Sequence, residues 1–316
     1  MASEQQTPKK KSGVIGIIGR PSAGKSSLLN RICGAKVAIT SSHPQTTRTR
    51  VRGIFTEKRG QLLFLDTPGF HVSEKKLNLE YQQVVRDSLK ECDGLLYVRD
   101  LTRSGGEEEG AILSMIEASG IPWVAALNKM DTLHDENGMM NPDCLEILTE
   151  AAEMLPKAHH PHAVVETSAE TGLGYERLLD ALFAISPEGE AMYPPEYYTD
   201  QEPQFRISEI IREKAISRSK QEVPHSLYVD IADAEFDEEK NTLYVRAFLI
   251  VERVTQKAIM VGAAGQKIKA IRLSALRELN QLFDYKIKLD LRVKVQRNWR
   301  KKDPIIRKIT RSGYSG

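Results

Sequence analysis

Gly19-Arg20-Pro21-Ser22-Ala23-Gly24-Lys25-Ser26, followed by Ser27, is the stretch on which the fold turns. It has the form GxxxxGKS, and it lies between an apolar run, VIGII at 14–18, and a segment of helical spacing at 26–33. In such a strand–loop–helix setting the glycines let the backbone curl, so that its N–H groups point inward at phosphate oxygens. The helix N-terminus adds a favourable dipole for the same anion. Lys25 can reach the β- and γ-phosphates of a nucleotide, and the Ser26 hydroxyl can ligate Mg2+.

Outward from this loop, short apolar runs recur at 62–65, 94–98, 124–127 and 164–165, alternating with helical spacing at 77–90, 107–119, 143–155 and 175–184. Near-continuous apolar runs of this kind belong to parallel strands covered on both faces. Residues 13–186 are therefore expected to form a doubly wound α/β P-loop domain. Four prolines between Pro187 and Pro203 stop regular structure, which marks 187–203 as a linker. Beyond it the order changes: a helix at 205–220, strands at 226–234 and 242–251, a short helix at 255–261, a longer one at 266–283 and a strand at 286–296. That pattern describes a second, α+β domain over 204–300. Residues 1–12 are expected to be a disordered tail and 301–316 a basic one, and the acidic stretch 233–239 reads as a hairpin turn.

The chain of 316 residues has the length of two domains, and its 41% apolar and 28% charged residues are an ordinary globular mix. Cys33, Cys92 and Cys144 are scattered, which excludes a disulfide scaffold and argues against a zinc ribbon. No apolar run approaches the roughly 20 residues that span a bilayer, and no secretory signal is visible, so a soluble cytoplasmic protein is expected. The basic surface permits a weak peripheral membrane association that nothing in the sequence singles out, and a monomer is expected. Charge is uneven. Net charge is −7 over 1–200 and −3 over 201–250, but +12 over 251–316. A basic final third on an acidic body points to a polyanionic partner for that third.

The phosphate loop alone does not choose between ATP and GTP. Asn128-Lys129-Met130-Asp131, after the run at 124–127, does. The Asp131 carboxylate can accept two hydrogen bonds, from guanine N1–H and N2–H2, a pair that adenine lacks. The Lys129 stem can lie along the base, and Asn128 can tie loops together. Asp66-Thr67-Pro68-Gly69-Phe70 follows the run at 62–65: Asp66 can hold Mg2+ through a water, and the Gly69 N–H can sense the γ-phosphate. Ser168-Ala169-Glu170 offers a backbone N–H to guanine O6. Thr47, with Thr46 as the alternative, is the candidate for a second Mg2+ hydroxyl, in a flexible loop that closes on the γ-phosphate. Together these five segments describe a GTP-binding domain that hydrolyses GTP with Mg2+, with Lys25, Ser26, Thr47, Asp66 and Gly69 as its catalytic set.

On GRPSAGKS at 19–26, PQTTR at 44–48, DTPGFH at 66–71, NKMD at 128–131 and SAETGLG at 168–174, the sequence resembles the Era family of translation-factor-related GTPases. EIIREK at 209–214, VERVTQK at 251–257 and VKVQRNW at 293–299 continue the resemblance almost to the C-terminus. It implies a GTPase domain followed by a KH-type RNA-binding domain of the bacterial topology. It also implies a role in small ribosomal subunit assembly, with binding near the 3′ end of the small-subunit ribosomal RNA. The residues agree: Gly262-Ala263-Ala264-Gly265 lies between two helices, the arrangement by which KH domains clamp about four nucleotides of single strand. Arg253, Lys257, Lys267, Lys269 and Arg272 are the expected phosphate contacts.

The sequence departs from its family in two loops. Era-like phosphate loops usually carry Asn where this chain has Ser22, and that Asn helps some relatives hold a monovalent cation, so a potassium site is in doubt here. The Gly-x-x-Gly loop normally includes a lysine or other polar residue, and here two alanines fill it. Phe70 stands where Ras-like proteins place a water-orienting Gln, so intrinsic hydrolysis is expected to be slow and accelerated by a bound partner. Two rival readings are a GTP-dependent partner in tRNA or other RNA processing and an RNA-binding protein with a decayed nucleotide pocket. Intact Lys25, Ser26, Asp66 and Asp131 argue against the second.

Overall fold

A computed structural model describes residues 9–41, 46–70, 76–133, 139, 141–219 and 226–311. Of the sequence expectations, residues 1–8, Pro44, Gln45, His71, Lys220 and 312–316 lie outside the described residues. The described chain divides into two compact units. The first comprises residues up to Ala38 together with Arg50–Asp200, and the second comprises Ile39–Thr49 and the residues from Gln201 on.

The first unit is built on six strands: β1 (Lys11–Ile18), β2 (Val51–Glu57), β3 (Gly60–Asp66), β4 (Gly94–Asp100), β5 (Trp123–Asn128) and β6 (Ala163–Glu166). Their order is β2-β3-β1-β4-β5-β6. All neighbours run parallel except β2, which is antiparallel to β3. Every residue of β3, β4 and β5 is buried, which explains their unbroken apolar runs. Helices α1 (Lys25–Cys33), α2 (Lys76–Leu89), α3 (Glu107–Ser119), α4 (Pro142–Met154) and α5 (Tyr175–Ile185) connect the strands. α4 starts where its pattern predicts because the Asn141 side chain accepts from the Asp143 and Cys144 N–H groups ahead of Pro142.

Three expectations change in this unit. β1 begins at Lys11, whose N–H donates to the Arg59 carbonyl, so Lys11 and Ser12 belong to the sheet and not to a disordered tail. β2 has no counterpart among the expected strands: its apolar positions are interrupted by Arg52 and Gly53, and a one-sided edge strand carries no continuous run. The proline-rich stretch is a cover for that edge. The Ile54 N–H donates to the Tyr198 carbonyl, Thr199 Oγ1 donates to the Arg52 carbonyl, and Arg52 pairs with Asp200. An edge strand left open would present unpaired backbone to other chains, and this segment closes it.

The second unit contains α6 (Pro203–Ser217), β7 (Tyr228–Asp237), β8 (Thr242–Val251), α7 (Val254–Val261), α8 (Gln266–Leu282), β9 (Lys286–Val295) and α9 (Asp303–Arg311). β7 and β8 are antiparallel, and β8 and β9 are parallel. β9 alternates strictly at 286–291: Ile287, Leu289 and Leu291 turn into a core with Ile207, Ile211, Ile271 and Leu279 of the helices, and the lysines face out. The acidic stretch is strand up to Asp237. Asp233 and Glu235 pair with Arg246 and Tyr244 of β8, and side chains on a solvated strand face need not be apolar. The basic tail contains a helix, since Ile305, Ile306 and Ile309 of α9 form one apolar stripe. Ile305 and Ile309 pack against Tyr228, Ile250 and a fully buried Trp299, whose Nε1 donates to the Ser226 carbonyl at 2.9 Å.

Ile39–Thr49, expected as a loop of the GTPase domain, belongs to this second unit. Arg48 donates to the Leu227 carbonyl at 2.6 Å and lies 5.8 Å from the Trp299 ring centre. Thr49 Oγ1 donates to the Thr310 carbonyl, Arg212 to the Thr46 carbonyl, and the Thr40 N–H to Glu213. The partners of this segment lie more than 160 residues away in sequence, beyond what local pattern can register.

Candidate nucleotide and nucleic-acid sites

The phosphate loop leaves β1 at Ile18 and enters α1 at Lys25. Gly24 has φ +94°, and a Cβ there would stand 2.3 Å from Asn128 Nδ2, so both conformation and space require glycine. The loop holds Lys25 inward: its Nζ donates to the Gly19 and Arg20 carbonyls at 3.1 and 3.0 Å. Burial pushes this ammonium down to about 8; the charge of Asp66 opposes that and the charge of Arg103 adds to it. Ser26 Oγ donates to Asp66 Oδ2 at 2.5 Å, so the structure brings together the hydroxyl and carboxylate expected at the metal. Thr67 ties the next turn to β1 through the Ile17 carbonyl, and the Phe70 N–H donates to the Gly19 carbonyl. Gly69 lies against the loop, where a Cβ would approach Pro21 Cα to 2.6 Å.

Thr47, the candidate for the second metal hydroxyl, falls outside the unit that carries Ser26 and Asp66 in the chain's division. It is buried in the second unit, as is the Thr46 carbonyl bound by Arg212. Arg20 also departs from a simple phosphate role: its side chain bonds Glu108 and the Ser104 carbonyl, away from its own loop.

The base-recognition segments interlock with the phosphate loop. Asn128 Nδ2 donates to the Ala23 carbonyl at 2.9 Å, and its Oδ1 accepts from the Ala169 N–H at 3.2 Å. One amide therefore joins Asn128 to both neighbouring loops. Ser168 Oγ donates to Asp131 Oδ1 at 2.5 Å, which orients that carboxylate. The Met130 N–H bonds the Thr167 carbonyl, and Glu170 sits in the turn that follows. Lys129, at φ +74°, donates to Asp100 Oδ2 at 2.8 Å.

Asp100 was missed by sequence reading. It ends β4, nearly fully buried, and its carboxylate also binds Arg103 and Thr102. Burial alone would raise its pKa, but the hydrogen bonds from Lys129 and Thr102 outweigh that and hold it below the usual carboxylate range. Its signal was an acidic residue at the carboxyl end of an apolar parallel strand, where α/β sheets bind ligands. Arg99 and Glu109 were missed too: they pair at 2.8 Å behind the loop, and Tyr97 donates to Glu109.

In the second unit, Gly262-Ala263-Ala264-Gly265 joins α7 to α8. Gly262 and Gly265 have φ +72° and +75°, and Ala264 has φ +46°, an αL value uncommon outside glycine. α8 therefore starts with open N–H groups and no side-chain cap. Arg253, Lys257 and Lys269 are exposed and Lys267 and Arg272 half-buried; none has an ion-pair partner among the described residues. Burial lowers the pKa of Lys267. The Arg253 N–H is held by Gln256 Oε1 at the start of α7. Among the described residues no helix is long and apolar enough to cross a membrane.

Comparison with known proteins places both units. A family model described as a 50S ribosome-binding GTPase matches residues 14–129, and one described as a KH domain matches residues 222–300. The GTPase Era of Treponema denticola is 45% identical over 95% of this chain and 99% of its own length. That of Treponema pallidum is 44% identical over 96% of this chain and 98% of its own length. Among solved structures, Era in complex with MgGDPNP and nucleotides 1506–1542 of 16S ribosomal RNA has a TM-score of 0.88 at 30% identity. A variant of Aquifex aeolicus Era bound to GDP·AlF4− has a TM-score of 0.87, also at 30% identity. Each covers 96% of this chain and 99% of its own.

Proposed function

This chain belongs to the Era family of GTPases, and from that premise we propose that it binds small-subunit ribosomal RNA near its 3′ end through the KH unit and serves assembly of the small ribosomal subunit. The observation that carries the reading is the relative of matching length and fold that was solved with a nucleotide and a 16S ribosomal RNA segment. Five cations without ion-pair partners among the described residues, around a glycine-hinged helix N-terminus, support RNA backbone binding. A cytoplasmic site of action follows from that substrate.

In the GTPase unit, the N–H groups of the phosphate loop after Pro21 and Lys25 neutralise the phosphates, and Asp131, aimed by Ser168, accepts from guanine N1–H and N2–H2. Ser26 and Asp66 offer hard oxygen donors already within 2.5 Å of each other, a set that suits Mg2+. When bound with nucleotide, Mg2+ neutralises charge on the β- and γ-phosphates. Ser22 Oγ is buried with no hydrogen-bond partner among the described residues, a shorter ligand than the family's Asn, so a potassium site at this loop is in doubt.

GTP hydrolysis measured with and without an RNA of the small-subunit 3′ end tests the proposal. Turnover should rise with RNA, and a Lys267→Ala/Lys269→Ala protein should lose that rise while keeping RNA-free turnover. Turnover indifferent to this RNA would leave a GTPase with another target.

A further inference from the structure

Asp100 collects more cationic hydrogen bonds than its own charge balances. Its Oδ2 accepts from Lys129 Nζ at 2.8 Å and from Arg103 Nε at 2.9 Å, and its Oδ1 accepts from the Thr102 N–H and hydroxyl. One carboxylate thus serves two cations, and a positive charge is left over at the carboxyl end of β4. Arg103 extends that charge to the phosphate loop: its Nη2 donates to the Pro21 carbonyl at 2.6 Å. Its Nη1 has no partner among the described residues, and the side chain is 36% exposed.

We propose that Arg103 is a further nucleotide-binding residue, a guanidinium that Asp100 orients so that its free edge meets the phosphates of the bound nucleotide. A guanidinium has five N–H donors in a rigid fork, and here one edge is fixed by a carboxylate and a loop carbonyl. Holding one edge in this way lowers the entropic cost of engaging the remaining donors. Arg20, the other arginine of the loop, cannot fill this role in the same pose, because its guanidinium is bound by Glu108 and the Ser104 carbonyl. Arg103 also lies close enough to Lys25 for the two charges to repel, which an anion between them would relieve. Lys129 shares the carboxylate, so Asp100 is a positioning residue for base and phosphate recognition at once.

The inference rests on the GTP-binding reading of the site, and its test separates the two. With the full chain, GDP affinity is titrated directly and guanosine affinity by competition with GDP, for wild type, Arg103→Ala, Arg103→Lys and Asp100→Asn, each with its melting temperature. Loss of a charge-assisted hydrogen bond should weaken GDP binding by about tenfold in Arg103→Ala. Guanosine affinity should stay unchanged, and the salt dependence of GDP binding should flatten. Arg103→Lys should recover part of the affinity, whereas Asp100→Asn should weaken GDP and guanosine alike. GDP binding within twofold of wild type in Arg103→Ala would overturn the inference. So would equal losses for GDP and guanosine, the mark of an arginine that only props the loop, or no recovery with lysine. A wild-type protein that fails to bind GDP would instead strike the GTPase reading itself.

Discussion

The phosphate loop and the Gly-x-x-Gly loop use the same backbone device and surround it differently. Each ends in a left-handed glycine, Gly24 at φ +94° and Gly265 at φ +75°, that opens directly into a helix with no side-chain cap. Each therefore leaves helix N–H groups for an anion. Around Gly24 the functional side chains are engaged with one another: Lys25 with loop carbonyls, Ser26 with Asp66, Asn128 with Ala23, and Asp131 with Ser168. Around Gly265 the cations have no ion-pair partners among the described residues, and the two central residues are alanines. A pocket preorganised in this way recognises one ligand with a fixed geometry, while loosely held cations follow any sugar–phosphate chain.

The sharpest way to break this contrast is Lys25→Ala. If the nucleotide site depends on preorganised charge, removing its buried cation should lower turnover by about 10^2–10^3-fold, the usual cost of deleting one preorganised transition-state contact. Single-turnover hydrolysis would show it, and a drop below tenfold would mean that another group supplies the charge. Asp131→Asn comes next. It replaces an acceptor oxygen by a donor N–H2, so GTP affinity should fall by about 10^2-fold, with discrimination against ATP narrowing by the same factor. Competition binding with both nucleotides measures it.

The same contrast explains what could be read in advance. The apolar runs of β3, β4 and β5 are visible because both faces of each strand are buried, and the loop motifs because few residue types satisfy their backbone geometry. Lys25, Ser26, Asp66 and Asp131 follow from that chemistry. Asp100 and Arg103 do not, because their roles arise from an end-of-strand meeting between segments about 30 and 80 residues apart. β2 is hidden by its one-sided burial, and α9 by a basic composition that masks three isoleucines on one stripe. The segment 39–49 reads as a GTPase-domain loop from its neighbours in the chain, but Arg48 and Thr49 bond carbonyls of residues 227 and 310.

A smaller effect tests the second loop. Ala263 is exposed, so Ala263→Lys can add a cation without disturbing the core. One added phosphate contact should steepen the dependence of log affinity on log salt by about 0.7 for single-stranded RNA. Affinity for RNA should rise severalfold, by filter binding across a salt series, and hydrolysis without RNA should not change. An unchanged slope would place the RNA elsewhere on the KH unit.

The last effect is a proton. Burial pushes the Lys25 ammonium down to about 8, against 10.5 for an ordinary lysine. Between these values the unfolded chain binds more protons than the folded one, so Lys25 makes the nucleotide-free protein more stable as pH rises from about 8 to 10.5. Bound phosphates reverse the balance, since their negative charge favours the ammonium. Above pH 8 the protein must then take up a proton to bind GDP, and affinity should fall with rising pH by up to about tenfold per unit. Calorimetry at pH 9 in two buffers of different ionisation enthalpy would register an uptake of less than one proton, absent in Lys25→Ala. No uptake would mean that Lys25 stays charged without nucleotide, held by Asp66 against its burial.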